Sequence, residues 1–244
     1  MSLDDFGLLE TMLYRPNHGI EFFSEHLIRL RRSREYFYQK SNKSTFVDFP
    51  SDEIIKEKID SQLLQTQAVC SSPLSSYRIR LVVDSSSNIQ LNINPEVNTG
   101  QDISKRKVVL DFIPVDSKND FLLHKTTNRK IYNEARARNG VDPSDPNSPF
   151  DVILFNEHGY VTETSIANIA LQLSEAGKNI WVTPPIECGL LPGTKRAHML
   201  CTDSDLREEH ITIERLVLEA KAGKLIKCFN SVRGEYLVDL INLN

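Results

Sequence analysis

Asp151-Val152-Ile153-Leu154-Phe155-Asn156-Glu157-His158-Gly159-Tyr160-Val161-Thr162-Glu163 reads as an apolar strand, a tight turn and a returning strand. The first run is apolar throughout, the pattern of a strand buried on both faces. Glu157-His158-Gly159 supplies the turn chemistry. The returning strand carries a carboxylate, Glu163, at its end and runs into Thr164-Ser165-Ile166-Ala167-Asn168. The rest of the chain is read outward from this hairpin.

C-terminal to it, 168–173, 180–183, 225–229 and 236–240 read as further strands, and 193–202 and 216–221 as helices. N-terminal to it, 128–139 reads as a helix stopped by Gly140, and the proline-rich stretch 142–149 as a loop. The first half opens with a strand over 6–14, a Pro16-Asn17-His18-Gly19 turn, and a helix capped by Ser24 that runs to about 38. Ser51 caps a second helix, in which Ile55, Ile59 and Leu63 repeat every four residues. After Ser71-Ser72-Pro73 the period becomes two, giving a strand pair over 77–83 and 89–93 and another strand over 108–115. The class is α+β. The domains expected are 1–115 and 121–244, joined by a polar link at 116–120.

Length and composition bound the function. At 244 residues the chain can form one large or two modest domains. A net charge of −4 disfavours nucleic acid as a partner, because neutralising phosphates needs a basic surface. No apolar run approaches the ~20 residues that span a bilayer, and no secretory signal opens the chain, so no membrane partner is expected. Cys70, Cys188, Cys201 and Cys228 are scattered, which fits reduced thiols in the cytoplasm and no zinc site. No metal is expected.

Three strings carry the chemistry: His124-Lys125-Thr126-Thr127-Asn128-Arg129, Val161 to Asn168, and Gly189-Leu190-Leu191-Pro192-Gly193-Thr194-Lys195-Arg196. Lys125 follows apolar Phe121-Leu122-Leu123; an amine that leaves a buried element can shed its proton and attack an aldehyde. Glu163 can keep a ring nitrogen protonated. The turn Thr164-Ser165-Ile166-Ala167 and the helix start Pro192-Gly193-Thr194 can aim N–H groups at a phosphate. Those are the parts that a pyridoxal phosphate (PLP) site needs. Each also has a plainer reading taken singly: a surface lysine, an exposed glutamate, a turn before a helix.

Joined in this order, with His26-Leu27-Ile28-Arg29-Leu30 ahead of them, the strings resemble the marks of the class IV aminotransferases, the PLP enzymes of fold type IV. The resemblance covers nearly the whole chain from Phe6. Within that family it is greatest to the 4-amino-4-deoxychorismate lyases, including those fused to a synthase. Phe6-Gly7-Leu8-Leu9-Glu10-Thr11-Met12, Thr183-Pro184-Pro185 and Asn230-Ser231-Val232-Arg233-Gly234 carry this likeness. Many members have a further strand ahead of the first hairpin; this chain begins nearly at Phe6, as the fused lyase domains do.

The resemblance implies two α/β domains with the cofactor cleft between them and a homodimer. It implies Lys125 as the Schiff-base lysine and acid/base, and Glu163 at the pyridine nitrogen. Arg29, Ile166, Ala167, Gly193 and Thr194 fall to the phosphate. Thr11, Arg78, Arg80 and Arg233 are candidate substrate contacts by residue type. The implied reaction expels pyruvate from aminodeoxychorismate to give 4-aminobenzoate for folate synthesis. The alternatives are transamination of a branched-chain or D-amino acid, and a cofactor-free binding or scaffold relative, against which the intact Lys125 and Glu163 count.

Overall fold

The computed structural model describes residues 6–69, 76–96 and 106–242; Cys70 and the Ser71-Ser72-Pro73 break lie outside them. Contacts divide the chain into two units. One is Met1–Gln101 with Lys125–Asn128, and the other is Asp102–His124 with Arg129–Asn244.

The first unit holds β1 (Leu8–Arg15), β2 (Gly19–Ile20), α1 (Phe23–Lys40), α2 (Asp52–Val69), β3 (Ser76–Val83) and β4 (Ile89–Glu96). The strands form an antiparallel sheet in the order β2-β1-β3-β4. The period-two reading holds in β3, where Tyr77, Ile79 and Leu81 are fully buried and Arg78 and Arg80 are exposed. In α2 the four-residue repeat buries Ile55, Ile59 and Leu63, and the helix packs on β4. The entry to α1 differs from expectation. Its N-cap is Phe22 rather than Ser24, held in the left-handed region at φ 55 with no side-chain cap. The chain must turn sharply there, since the Glu21 N–H is still bonded to the Leu13 carbonyl (2.9 Å). A left-handed non-glycine costs roughly 1–2 kcal/mol.

The second unit carries β5 (Arg106–Leu110), α3 (Asp120–Leu123), α4 (Lys130–Arg138), β6 (Asp151–Phe155), β7 (Val161–Thr164), β8 (Asn168–Glu175) and β9 (Lys178–Thr183). It continues with a 3-10 turn (Ile186–Cys188), α5 (Thr194–Thr202), β10 (Leu206–Glu208), α6 (Ile213–Lys221), β11 (Ile226–Asn230) and β12 (Gly234–Ile241). Its eight-stranded sheet runs β10-β9-β8-β11-β12-β5-β6-β7. Alternation sorts the side chains. Val108, Ile153, Ile169, Leu171, Cys228 and Val238 share one core with Leu216 of α6. Their neighbours Val109, Val152 and Leu154 meet Tyr132 and Ala135 of α4, and Ala170 and Phe229 meet Met199 of α5. Both faces of the sheet are therefore buried where β5, β6, β8 and β11 lie, as the apolar run 151–155 requires.

The expected domain boundary is corrected here. β5 pairs in parallel with β6 and β12, so it belongs to the second unit. The stretch 116–120 is not a free link. The Val115 N–H bonds the Phe155 carbonyl (2.8 Å), and the Ser117 N–H and hydroxyl both donate to the Glu157 carboxylate (2.9 and 2.7 Å). Asn119 then caps α3. The strand expected over 108–115 stops at Leu110, and Phe112 and Ile113 are exposed.

Candidate active site

Glu163 leaves solvent with β7, whose four residues are all buried. Its Oε1 accepts from the Tyr132 hydroxyl (2.7 Å) and the Leu191 N–H (3.2 Å), and its Oε2 accepts from Asn168 Nδ2 (3.2 Å). Asn168 Nδ2 also donates to the Leu191 carbonyl (3.0 Å). A buried carboxylate is tolerated only when donors replace its water, and here they come from α4, β8 and the loop before α5. Burial first, then the charge and hydrogen bond of Glu163, pushes the Tyr132 phenol well above its ordinary range. Tyr132 therefore stays protonated and donates. Arg129 stacks on the same ring, 4.7 Å from its centroid.

The turn after Glu163 is tied on every side. The Thr164 N–H and hydroxyl donate to the Ala167 carbonyl (2.8 and 3.0 Å), and the Ala167 N–H returns to Thr164 Oγ1 (3.0 Å). Arg129 Nη2 donates to the Ser165 carbonyl (2.6 Å), and Arg136 Nη1 to the Ser165 hydroxyl (3.1 Å), which itself bonds Asp151. Asn230 Nδ2 holds the Ile166 carbonyl (3.1 Å). The Ala167 N–H is thus already committed, and Ile166 is the member of that pair left to meet an anion. Thr194 opens α5 behind an N-cap glycine, Gly193, that brings no capping side chain. A Cβ at Gly193 would lie 2.1 Å from Asn168 Oδ1, so glycine is required by the amide that holds Glu163.

Lys125 belongs to the first unit. Its carbonyl accepts from the Leu9 N–H (3.0 Å), Thr126 bridges Leu8, and the Thr127 N–H and hydroxyl bond the Gly7 carbonyl and N–H (both 2.9 Å). The lysine is thereby mounted, half-buried, beside the start of β1. In the same unit Arg29 is buried and forked onto Glu10, Nε to Oε1 (2.8 Å) and Nη2 to Oε2 (2.5 Å), while His26 Nδ1 meets Oε2 (2.6 Å). Burial raises the Glu10 carboxyl, but the charges and hydrogen bonds of Arg29 and then His26 outweigh it and hold the group at about 2.

Thr11 lies directly opposite Arg80 across β1 and β3, so the two share a face. Glu10, one residue earlier, points to the other face, where α1 presents Arg29. The structure therefore does not gather Arg29 with Arg78 and Arg80. Arg233 is exposed in the turn after β11, with its guanidinium 5.6 Å from the Phe150 ring centroid. That turn is bound to the Ile166 loop through Asn230. Sequence reading missed Glu10, His26, Tyr132, Arg129 and Arg136 as site residues. His26 and Arg29 stand three apart on one helix face, a signal that was available. Tyr132 and Arg136 had no marker beyond their place on a helix.

A mixed α+β protein with a buried, donor-held glutamate, an anion-ready helix start and a lysine mounted on a strand edge matches one enzyme family. The amino-transferase class IV model matches residues 7–234, and the chain belongs to that family. Members of this family are pyridoxal phosphate enzymes acting on small amines. A Schizosaccharomyces pombe protein provisionally named aminodeoxychorismate lyase is 29% identical over 234 residues, spanning 95% of this chain and 88% of its own. A solved Mesorhizobium loti structure, provisionally an amino-acid aminotransferase, superposes with a TM-score of 0.76 at 25% identity, covering 97% of this chain and all of the other. A Legionella pneumophila structure provisionally called 4-amino-4-deoxychorismate lyase gives 0.70 at 21% identity, covering 97% and 84%. The fold is that of the fold type IV enzymes. Among the described residues no helix is long and apolar enough to cross a membrane.

Proposed function

We propose that this chain is a PLP-dependent 4-amino-4-deoxychorismate lyase. The observation that carries the reading is Glu163, a buried carboxyl that accepts hydrogen bonds from Tyr132, Asn168 and the Leu191 N–H. The likeness to the S. pombe protein along 95% of the chain supports the choice of reaction. The donor set suits the cofactor: an acidic acceptor for a pyridine nitrogen, the Ile166 and Thr194 N–H groups with the Thr194 hydroxyl for a phosphate, and a mounted lysine.

When bound, PLP supplies an electron sink for the pair left behind when a C–H proton departs. Lys125 would hold the cofactor through Nζ, and the same amine, once free, would be the base for the proton on the amine-bearing ring carbon. Glu163 would pair with the pyridine nitrogen and favour its protonated form. Gly193 leaves room for the Asn168 amide that holds Glu163, and with Thr194 it would form the helix start that receives the phosphate. Arg29 is the candidate cation for the same phosphate, its orientation fixed by Glu10. Thr11, Arg78, Arg80 and Arg233 stay candidates for the substrate carboxylates. The departing enolpyruvyl group becomes pyruvate and the ring becomes aromatic as 4-aminobenzoate. We place the enzyme in the cytoplasm as a homodimer, and sedimentation of the holoenzyme checks the dimer.

The 25% identity to the M. loti aminotransferase favours transamination as the second reading, since the two reactions share every step up to loss of the proton. PLP-loaded protein offered aminodeoxychorismate should form 4-aminobenzoate and pyruvate in equal amounts. Loss of the cofactor's visible absorbance on adding simple amino acids, without those products, would establish the transaminase instead. Lys125→Ala should abolish turnover and borohydride trapping of the cofactor together; turnover retained in this variant would remove Lys125 from its role.

A further inference from the structure

The Tyr132 hydroxyl is spent inside the protein, against the one carboxylate the reaction needs ionised. Tyr132 lies on α4 and is 6% exposed, packed in the core against Val152 and Leu154 of β6. A phenol in such a place costs free energy unless its O–H finds an acceptor, and the acceptor here is Glu163 Oε1 at 2.7 Å. Oε1 also takes the Leu191 N–H (3.2 Å), and Oε2 takes Asn168 Nδ2 (3.2 Å), so Tyr132 is one of a set of donors that orient this carboxylate.

We propose that Tyr132 is the positioning residue of the cofactor's ring nitrogen: its hydroxyl holds Glu163 as the carboxylate that pairs with the pyridine N–H. The inference rests on the assignment of Glu163 made above. A proton shared between a ring nitrogen and a carboxylate resides on the nitrogen only while the carboxylate is the weaker base. Each donor to the carboxylate stabilises its charged form and leaves the carboxylic acid unaided. Removing the phenol O–H therefore moves the proton from the ring toward Glu163, without touching Lys125 or the phosphate contacts. The raised Tyr132 phenol fits this, because a tyrosine that ionised beside Glu163 would repel it rather than serve it.

The test compares holoenzyme loaded with PLP labelled with 15N in the ring, as wild type, Tyr132→Phe and Glu163→Gln. In wild type the ring nitrogen resonance should stay at its protonated position across neutral pH. In Tyr132→Phe the ratio of ring-protonated to carboxyl-protonated forms should fall about tenfold, equivalent to roughly 1.4 kcal/mol. Borohydride trapping at Lys125 should be unchanged in that variant. Glu163→Gln should lose the protonated ring signal. If Tyr132→Phe keeps the wild-type signal while Glu163→Gln loses it, the role of Tyr132 is overturned and that of Glu163 stands. If neither variant changes it, the reading of Glu163 falls as well. Asn168→Ala provides the second measurement should Tyr132→Phe not fold: with an Oε2 donor gone the same ratio must fall, and an unchanged ratio there overturns the clamp.

Discussion

Glu10 is only 1% exposed, and it carries a full charge between Arg29 and His26. An ion pair so placed is costly to break, because the survivor stays buried without a partner. The carboxyl titrates near 4.5 when free and at about 2 in the fold, where burial, which raises it, loses to Arg29 and His26, which lower it. The folded form therefore binds its proton more weakly than the unfolded chain does. The stability this group contributes is complete above pH 4.5 and is lost as pH falls toward 2, amounting to roughly 3 kcal/mol. Glu10→Gln should cost roughly 3–5 kcal/mol at neutral pH, read as the urea midpoint. The gap to wild type should narrow steadily from pH 4.5 down to 2. A gap independent of pH would show that Glu10 is not the acid-sensitive member. Arg29 was readable through resemblance to a family, and Glu10 was quoted among the residues of that resemblance. Their pairing was not readable, because it joins a strand to a helix nineteen positions apart, and nothing in spacing marks such a contact.

At the scale of elements, periodicity did its work where one element buries a whole face. β3 and α2 follow their sequence patterns because their apolar residues line one face, and β6 reads as an unbroken apolar run because each of its faces meets a core. Short elements escaped. β10 buries Leu206 alone of its three residues, and α3 is one turn held by the Asn119 cap. The helix read from 128 begins at Lys130, since Arg129 is used on the Ser165 carbonyl and Asn128 stays with the first unit. The start of α5 shows what a turn motif conceals. Pro-Gly-Thr reads as a generic helix entry, yet Gly193 is needed for space, as its φ of −66 demands no glycine. Gly193→Ala would drive a methyl into Asn168 Oδ1 and displace the amide from Glu163. A loss of about 1–2 kcal/mol in stability is expected, the cost of a displaced buried hydrogen bond, with PLP affinity weakened in parallel. Adding Asn168→Ala removes the obstacle, so the double variant should melt above Gly193→Ala while its PLP affinity stays low. If the double variant melts lower by the sum of the single effects, the two residues are not in conflict.

Over the whole molecule the chain crosses between its units after Gln101, after His124 and after Asn128. The expected boundary at 116–120 missed this, because polar composition marks a link only when the segment has no partner, and Ser117 has Glu157. The excursion 125–128 is what mounts Lys125 on the sheet of the first unit, while Glu163 is mounted on that of the second. The proposed chemistry thus needs the excursion held, and its hold includes backbone bonds to β1 and the Thr127 hydroxyl, which accepts from the buried Gly7 N–H. Thr127→Ala leaves that N–H unsatisfied at a cost of roughly 1–3 kcal/mol. Local opening should become easier by that amount, with each ~1.4 kcal/mol read as a tenfold faster amide exchange. The Leu9 and Thr127 amides, which donate to Lys125 and Gly7, should exchange about tenfold faster or more. The Asp111 amide, bonded to Ile153 within the second sheet, should keep its wild-type rate. Borohydride trapping of PLP at Lys125 should slow in step with the first pair. Unchanged exchange at Leu9 with slowed trapping would mean that Thr127 acts on the cofactor directly and not through the strand edge that carries the lysine.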